Sequence, residues 1–362
     1  AKTGAPFSDR RCAAGTDQKA EGITMDSNQD VGFGVDDHSQ PYTHLEFKND
    51  PSEFQFAILG DNSGGPRPGV VAAGLEKLNL LQPEFVLCLG DLVEGYTKPD
   101  GSPATVQTYR DWWEEFDGFL EALEMPFFFL PGNHDINNPA SVEVWRERFG
   151  GSREYYHFRY RDTLFLMVNT EDPPKDTNAL IEEDPERAEE IAEAYRGITE
   201  AITEGAETEQ ILKLLQPIED FLGTINISDE QIDYFRGVLE ANSDVRWTFV
   251  LMHAPAWWNP SGMDIDPGRF IEIENLLSDR PYTVFSAHTH VYRYVERNGR
   301  DYITAAMTGA MNIPRPGAID HVIWVTMAHD GPKIANLLLS GIIDKYGPAE
   351  GDGTLEYGMY VP

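Results

Sequence analysis

The sequence has few cysteines, few basic residues and no long apolar segment. Two cysteines in 362 residues cannot make a disulfide-stapled fold. Lys and Arg number 28 against 61 Asp and Glu, so the formal net charge is -33. Such a charge disfavours duplex nucleic acid and anionic membranes as partners, because both repel a polyanion. No apolar run reaches the roughly 18 residues that a membrane-spanning helix needs, so membrane insertion is not expected.

The remaining composition is that of an acidic globular protein. Apolar residues make up 41% and aromatic residues 11% of a chain long enough to bury a large core. The sequence begins with Ala1-Lys2-Thr3 and no Met, as a chain does after a signal peptide has been removed. We therefore expect a periplasmic or extracellular location. The oligomeric state stays open.

Apolar strands that alternate with amphipathic helices predict an α/β architecture. An irregular N-terminal arm (1–50), a catalytic-type domain (51–340) and a C-terminal tail (341–362) are expected from the composition along the chain. The leading strands are predicted at 54–61, 84–91 and 126–135, and the helices between them at 69–81 and 109–123.

Residues 171–227 interrupt this alternation with an acidic segment. Sixteen Asp and Glu face four Lys and Arg there, a net charge of -12. Apolar residues recur at helical spacing in two stretches, which predicts a helical hairpin inserted into the domain. Its charges would form a solvated face or, alternatively, a surface for a partner.

Several predicted strands end in side chains that can bind metal ions. Because strand ends gather at one edge of an open α/β sheet, these side chains are expected to converge. A mixed set of oxygen and nitrogen donors suits two divalent or trivalent ions such as Mn, Fe or Zn. Two adjacent ions suit hydrolysis at phosphorus and supply the positive charge that the acidic chain lacks. The residues are Asp61, Asp91, Asn133, His134, His253, His288 and His290.

The order of these motifs resembles the calcineurin-like metallophosphoesterase superfamily, which includes the purple acid phosphatases. The resemblance spans roughly residues 54–330 and implies a four-layer α/β/β/α sandwich with metal ions at one edge. The segment DNSGGPRPG is also similar to a bacterial subgroup of exported members. The matching motifs are Gly60-Asp61, Gly90-Asp91, Gly132-Asn133-His134-Asp135, His253 and Ala287-His288-Thr289-His290.

The resemblance implies a metal-binding role for six positions, with a hydroxide held by the metal ions as the nucleophile. Asp91 would bridge the two ions. Asn133, His253 and His288 would complete one site, and Asp61 and His290 would bind the other ion.

The resemblance also implies a pair of catalytic residues that do not bind metal. His134 would face the substrate and protonate the leaving oxygen or stabilise the phosphoryl charge. Asp135 would orient His134 by accepting its other ring N–H.

One departure concerns the metal beside Asp61. The family places a His two residues after this Asp, where the chain has Ser63. Purple acid phosphatases compensate with a Tyr three residues after the bridging Asp, where the chain has Glu94. Either Glu94 or Ser63 would replace the missing ligand, and a carboxylate at Glu94 suits Mn or Fe.

Three further residues are candidates for binding the substrate. Asn62 would donate to a phosphate oxygen, or would form an Asx-turn. Arg67 would clamp a phosphate, or would form an ion pair. Trp257 would stack on an aryl or nucleobase group, or would pack within its loop.

The function expected from these residues is hydrolysis of phosphoric esters at a dinuclear metal centre, with a small-molecule phosphate ester as substrate. Monoesters and diesters both remain open. The alternative is a mononuclear or inactive relative that acts as a binding protein through its acidic surface, which the missing His at Ser63 keeps open.

Overall fold

A computed structural model describes residues 50–98, 102–151, 153–222, 225–257, 268–342 and 345. The predicted N-terminal arm and C-terminal tail lie almost entirely outside these ranges, so both stay predictions. The described residues form two β-sheets with helices, and the mixed α/β class is confirmed.

The first sheet contains the first three strands of the chain. Its order is β11-β10-β1-β2-β3, with β1, β2 and β3 parallel and β10 antiparallel to β1. The carboxyl ends of β1 and β2 therefore lie at the same edge. The strands are β1 (Phe54–Leu59), β2 (Phe85–Cys88), β3 (Phe127–Phe128), β10 (His321–Ala328) and β11 (Gly331–Leu338).

The second sheet has the order β4-β5-β6-β7-β9-β8, and its four central strands are parallel. Its strands are β4 (Tyr156–Tyr160), β5 (Thr163–Val168), β6 (Trp247–Met252), β7 (Tyr282–Ser286), β8 (Arg293–Arg297) and β9 (Arg300–Thr304). The turn at residues 161 and 162 joins β4 to β5.

The two sheets pack face to face between helical layers. Along β5, Phe165 points to the first sheet, where its ring centroid lies 5.3 Å from that of Phe56. The neighbouring Leu164 and Leu166 pack in a second core with Phe235 of α7. This alternation is the two-residue period of a strand buried on both faces. The helices are α1 (Val70–Leu81), α2 (Val106–Leu120), α3 (Pro139–Phe149), α4 (Thr177–Glu183), α5 (Pro185–Thr203), α6 (Thr208–Leu222), α7 (Asp229–Ala241) and α8 (Gly268–Leu276).

Capping side chains fix the starts of two helices. Asn138 accepts a hydrogen bond from the Ser141 amide at 3.0 Å, and Ser141 Oγ accepts one from the Asn138 amide at 3.1 Å. This capping box starts α3 directly after the Gly-Asn-His-Asp motif and holds that loop. Ser228 accepts from the Gln231 amide at 3.1 Å and starts α7.

The acidic segment is helical, and we refer to α4, α5 and α6 as the helical insertion. Helices α5 and α6 form the hairpin that the apolar spacing predicts, and α4 precedes them as a short extra helix. The apolar residues of the hairpin pack against one another and against a residue outside the insertion. The buried members of this cluster are Ile191, Ala194, Ile198, Ile211, Ile218 and Ile313.

Candidate metal centre

Metal-capable side chains follow four strands of the two sheets at one shared edge. Asp61 follows β1, Asp91 follows β2, and His253 follows β6. His288 and His290 follow β7. The amides of residues 62 and 63 both donate to the Asp91 carbonyl, at 3.0 and 2.8 Å, so the loops after β1 and β2 are held together.

The backbone turns sharply where three of these residues lie. Asp91, His288 and His290 have φ values of 54°, 70° and 55°, which lie in the left-handed region. Residues other than glycine rarely adopt this conformation, and it costs about 1–2 kcal/mol for each one. The turns direct side chains from both sheets toward one space, which is a common reason for strain at a functional site.

Four residues, Asp91, Asn133, His253 and His288, form what we call the Asn133 cluster. His253 Nε2 lies 2.8 Å from Asn133 Oδ1, 3.2 Å from Asp91 Oδ2 and 3.1 Å from His288 Nδ1. His253 Nδ1 donates to the Leu89 carbonyl at 2.7 Å, which leaves Nε2 as the acceptor in the neutral ring. Acceptor atoms therefore face one another, and a cation is needed between them.

The pKa of His253 reports the same need for a positive charge. Burial lowers this pKa, but the charges of Asp91 and Asp61 and the hydrogen bonds to Asp91 and the Leu89 carbonyl together outweigh burial and raise it to about 10. A metal ion at the same point would supply that charge in place of the proton. Asp91, His253 and His288 bring their ligand atoms within 4.8 Å of one another, which fits a single ion.

Asp61 and His290 form what we call the Asp61 pair. Asp61 is fully buried, and neither of its carboxylate oxygens has a hydrogen-bond partner among the described residues. His290 Nε2 lies 3.2 Å from Asp61 Oδ2, and His290 Nδ1 donates to the Met311 carbonyl at 3.0 Å. In this tautomer Nε2 is again an acceptor that faces the carboxylate. A buried carboxylate without partners is costly, so this pair also fits a cation.

His134 lies beside both groups. Its backbone amide donates to Asp91 Oδ1 at 2.9 Å, and its Nδ1 donates to the Glu94 carbonyl. A Cβ at Gly64 would lie 3.5 Å from His134 Nε2 and 3.2 Å from His290 Cε1. Gly64, whose φ is 79°, therefore keeps the space between the two rings free of protein side chain.

The sequence matches the calcineurin-like phosphoesterases over residues 54–292, which is more than half of the chain. This chain belongs to that family. Family membership supports phosphoester hydrolysis and the binding of divalent metal ions, in agreement with the two sets of facing acceptors.

Solved structures of other proteins share the fold of this phosphoesterase. A dimetal phosphatase from Danio rerio has 15% sequence identity and a TM-score of 0.50, with 79% of this chain and 96% of that chain covered. A purple acid phosphatase from yellow lupin (Lupinus luteus) seeds has 13% identity and a TM-score of 0.51, with 81% and 52% covered. The structure of PhoD has 11% identity and a TM-score of 0.52, with 82% and 72% covered. No curated protein sequence matches the chain.

Asp135 does not have the role predicted for it in this phosphoesterase. Its carboxylate accepts backbone N–H groups from Asp91 at 2.7 Å and from Gly132 at 2.8 Å, as well as from residues 92 and 93. The His134 ring is held instead by the carbonyl of Glu94. The prediction that Asp135 orients the His134 ring is therefore wrong. Asp135 ties the loop after β2 to the Gly-Asn-His-Asp loop.

Glu94 is placed close to the centre, but its carboxylate is engaged by backbone groups. It accepts from the Gly64 amide at 3.2 Å and from the Gly65 amide at 3.3 Å. Burial raises its pKa. Ser63 differs, because its Oγ is buried and has no hydrogen-bond partner among the described residues.

The three candidate substrate-binding residues are engaged elsewhere. Arg67 donates to Asp320 through Nη1 at 2.8 Å and to the Ala310 carbonyl through Nε at 2.8 Å, so it is an ion-pair residue and not a phosphate clamp. The side-chain Nδ2 of Asn62 donates to the Leu92 carbonyl at 2.9 Å. The Trp257 ring packs 5.1 Å from that of Tyr302 in the core beneath α8, which corrects the prediction that it stacks on a substrate.

The structure also places two residues at the centre that sequence reasoning missed. Tyr96 Oη accepts from Asn133 Nδ2 at 2.9 Å, which turns Asn133 Oδ1 toward His253. Glu171 is buried just after β5, and burial raises its pKa to about 7. The signal for Glu171 was available, since it is a polar residue at a strand end like the others. Tyr96 gave no such signal, because it lies in a turn five residues after Asp91.

Proposed function

We propose that this chain hydrolyses small phosphoric esters with two metal ions held at the shared strand edge. The observation that carries the proposal is the pair of buried acceptor sets, the Asn133 cluster and the Asp61 pair, which both need a cation. The Asn133 cluster would hold one ion and the Asp61 pair the other, with Asp91 between them. Manganese, iron and zinc all suit these oxygen and nitrogen donors.

We further propose that Ser63, and not Glu94, supplies the missing donor of the Asp61 pair. Asp61 Oδ2 lies 3.2 Å from His290 Nε2, and a Cβ added at Gly64 would lie 3.2 Å from His290 Cε1, so Ser63 stands between two positions close to that ring. Its hydroxyl is buried without a partner, whereas the Glu94 carboxylate already accepts two amides. A buried polar atom without a partner is rare and calls for a specific explanation, which an ion at this site provides.

Bound metal ions would supply Lewis acidity toward the phosphoryl oxygens and would lower the pKa of a water molecule. The protein's own residues do the remaining work. Because His134 donates through Nδ1 to Glu94, its Nε2 is the atom that would hold a proton for the leaving oxygen. Burial lowers the pKa of this ring, but the charges of Asp91, Glu94 and Asp135 and the hydrogen bond to the Glu94 carbonyl together raise it above its ordinary value.

The test combines metal counting with hydrolysis. The protein is reconstituted with excess Mn²⁺, desalted and measured by elemental mass spectrometry, and is then assayed with p-nitrophenyl phosphate and bis(p-nitrophenyl) phosphate. We expect about two ions per chain and a metal-dependent hydrolysis of at least one ester. Hydrolysis with only one ion would refute the dinuclear assignment. Metal binding without hydrolysis of any ester would favour the alternative of a binding protein.

A further inference from the structure

The helical insertion is attached to the loop that carries Asn133 and His134. The amide and the hydroxyl of Thr177, at the start of α4, both donate to the Asn137 carbonyl at 2.9 Å. Asn137 Nδ2 in turn donates to the carbonyls of Asn133 at 3.0 Å and His134 at 3.1 Å. The first end of the insertion is therefore bonded to the loop that supplies one metal-binding residue and the proposed acid.

A second attachment lies at the turn between α5 and α6, next to the segment that bonds to His290. Thr208 Oγ1, at the start of α6, donates to the Pro314 carbonyl at 2.6 Å. The apolar cluster of α5 and α6 packs on Met311 and Ile313. The Met311 carbonyl accepts from His290, and the Met311 amide donates to the Gly64 carbonyl at 3.2 Å. The turn between α5 and α6 is therefore fixed to residues 311–314, which bond to His290 of the Asp61 pair.

Helix α5 runs between the two attachments. It contains 19 residues, which corresponds to a length of about 28 Å. Tyr195 lies near its middle and packs in the same apolar cluster as Met311. Burial raises the pKa of Tyr195, and the charges of Glu94 and Asp91 raise it further. Because Tyr195 packs in the cluster with Met311, whose carbonyl accepts from His290, it lies on the side of α5 that faces the centre.

The charge of the insertion is distributed unevenly around this helix pair. Its apolar stripe faces the protein, whereas the acidic side chains that the structure describes on these helices are exposed. Examples on α5 are Glu186, Glu189, Glu190 and Glu193. A substrate that extends beyond the centre would meet both the helix and this negative surface, and a polyanionic substrate would be repelled.

We propose that the helical insertion is a fixed roof over the metal centre, and that Tyr195 is the residue of the roof that limits substrate size. The inference rests on the proposed function and narrows its substrate class to compact phosphate esters. Phosphopeptides and oligonucleotides would be excluded, because the two attachments at Asn137 and Pro314 would hold α5 across the centre. The Tyr195 hydroxyl would contact the bound ester.

The experiment compares kcat/KM for p-nitrophenyl phosphate and for a ten-residue phosphoserine peptide. The Mn²⁺-loaded wild type is measured beside Tyr195→Ala, Tyr195→Phe and Thr208→Val. Tyr234→Phe is the matched control, since Tyr234 bonds to His157 on the far side of the second sheet. Metal content and melting temperature are measured for every variant, so that a folding defect is recognised.

We expect the wild type to hydrolyse the small ester at least about a hundredfold more efficiently than the peptide. Tyr195→Ala should raise the peptide-to-ester ratio at least tenfold, and Thr208→Val should raise it by a smaller factor by loosening one attachment. Tyr195→Phe should keep the ratio and lower kcat/KM for the small ester about three- to tenfold, the usual effect of one lost hydrogen bond. Tyr234→Phe should change neither quantity.

The roof is refuted if the wild type hydrolyses both substrates equally well, or if Tyr195→Ala and Thr208→Val leave the ratio unchanged in folded, metal-loaded protein. A wild type that hydrolyses neither substrate refutes the proposed function together with the roof as its size filter. The two failures are therefore distinguishable by wild-type activity alone.

Discussion

In the Asn133 cluster, protein groups hold the potential ligand atoms in place, whereas the Asp61 pair has little such support. Leu89 and Tyr96 fix the orientations of His253 and Asn133 through hydrogen bonds. In the Asp61 pair only His290 is fixed, by Met311, while both Asp61 oxygens and Ser63 Oγ have no hydrogen-bond partner in the described part of the chain. One half of the centre is therefore organised by the fold, whereas the other half would depend on a bound ion.

The largest effect is expected from replacing the residue that belongs to both halves of the centre. Asp91→Asn takes the negative charge from between the two sets, so we expect both ions to be lost. Metal ions contribute several kcal/mol to transition-state stabilisation, so hydrolysis should fall about a thousandfold or more. Elemental mass spectrometry and the ester assay measure both effects. Asp244→Asn, at an exposed ion pair with Arg159, is the control and should change neither.

His134 separates catalysis from metal binding. His134→Ala removes the proposed proton donor but none of the proposed ligands, so metal content should stay at the wild-type level while kcat drops about 10²- to 10⁴-fold. The matched control is His157→Ala, because His157 bonds to Tyr234 away from the strand edge. Loss of metal from His134→Ala would mean that the division between ligand and acid is incorrect.

Ser63 and Glu94 decide how the Asp61 pair is completed. We expect Ser63→Ala to weaken the second ion about tenfold, the loss of one modest oxygen ligand. Glu94→Gln should keep that ion and lower the melting temperature, since the acceptor of the Gly64 and Gly65 amides loses its charge. Calorimetric Mn²⁺ titration of both variants measures the affinities. The reverse result would make Glu94 the ligand.

The smallest effect concerns the metal-free protein. Burial raises the pKa of Asp61 above its ordinary value of 3.8. The folded state therefore favours the protonated carboxyl over the ionised one. The stability that the protonated form provides is complete below pH 3.8 and is lost as the pH rises through the raised pKa. At pH 7, Asp61→Asn should make the metal-free protein more stable by about 1–3 kcal/mol, the cost of a buried group without partners.

Urea unfolding in the presence of a chelator measures this difference, and a metal-loaded comparison should reverse its sign. Equal stability of the wild type and Asp61→Asn across the pH range would show that the carboxylate has partners after all.

Sequence reasoning reached the strand edge because polar residues after apolar strands are a local signal that survives folding. It placed the α5–α6 hairpin correctly for the same reason, since the apolar spacing of each helix is local. It missed β11 and α8, whose sequences carry weak periodicity, and it did not predict Tyr96. It also paired Asp135 with its neighbour His134, whereas the fold brings the Glu94 carbonyl from another loop to that ring. Contacts between distant loops have no local signature. The expected export of the chain stays a prediction.

The left-handed backbone at Asp91, His288 and His290 has a consequence for the engineering of this enzyme. Glycine or asparagine would relax each turn, so a selection for heat resistance alone would favour replacing these proposed metal-binding residues. Screens that score only survival at high temperature would thus enrich robust but inert variants. A mutant library meant to raise the thermal stability of this protein should keep these three residues unchanged and place its mutations on the exposed helices.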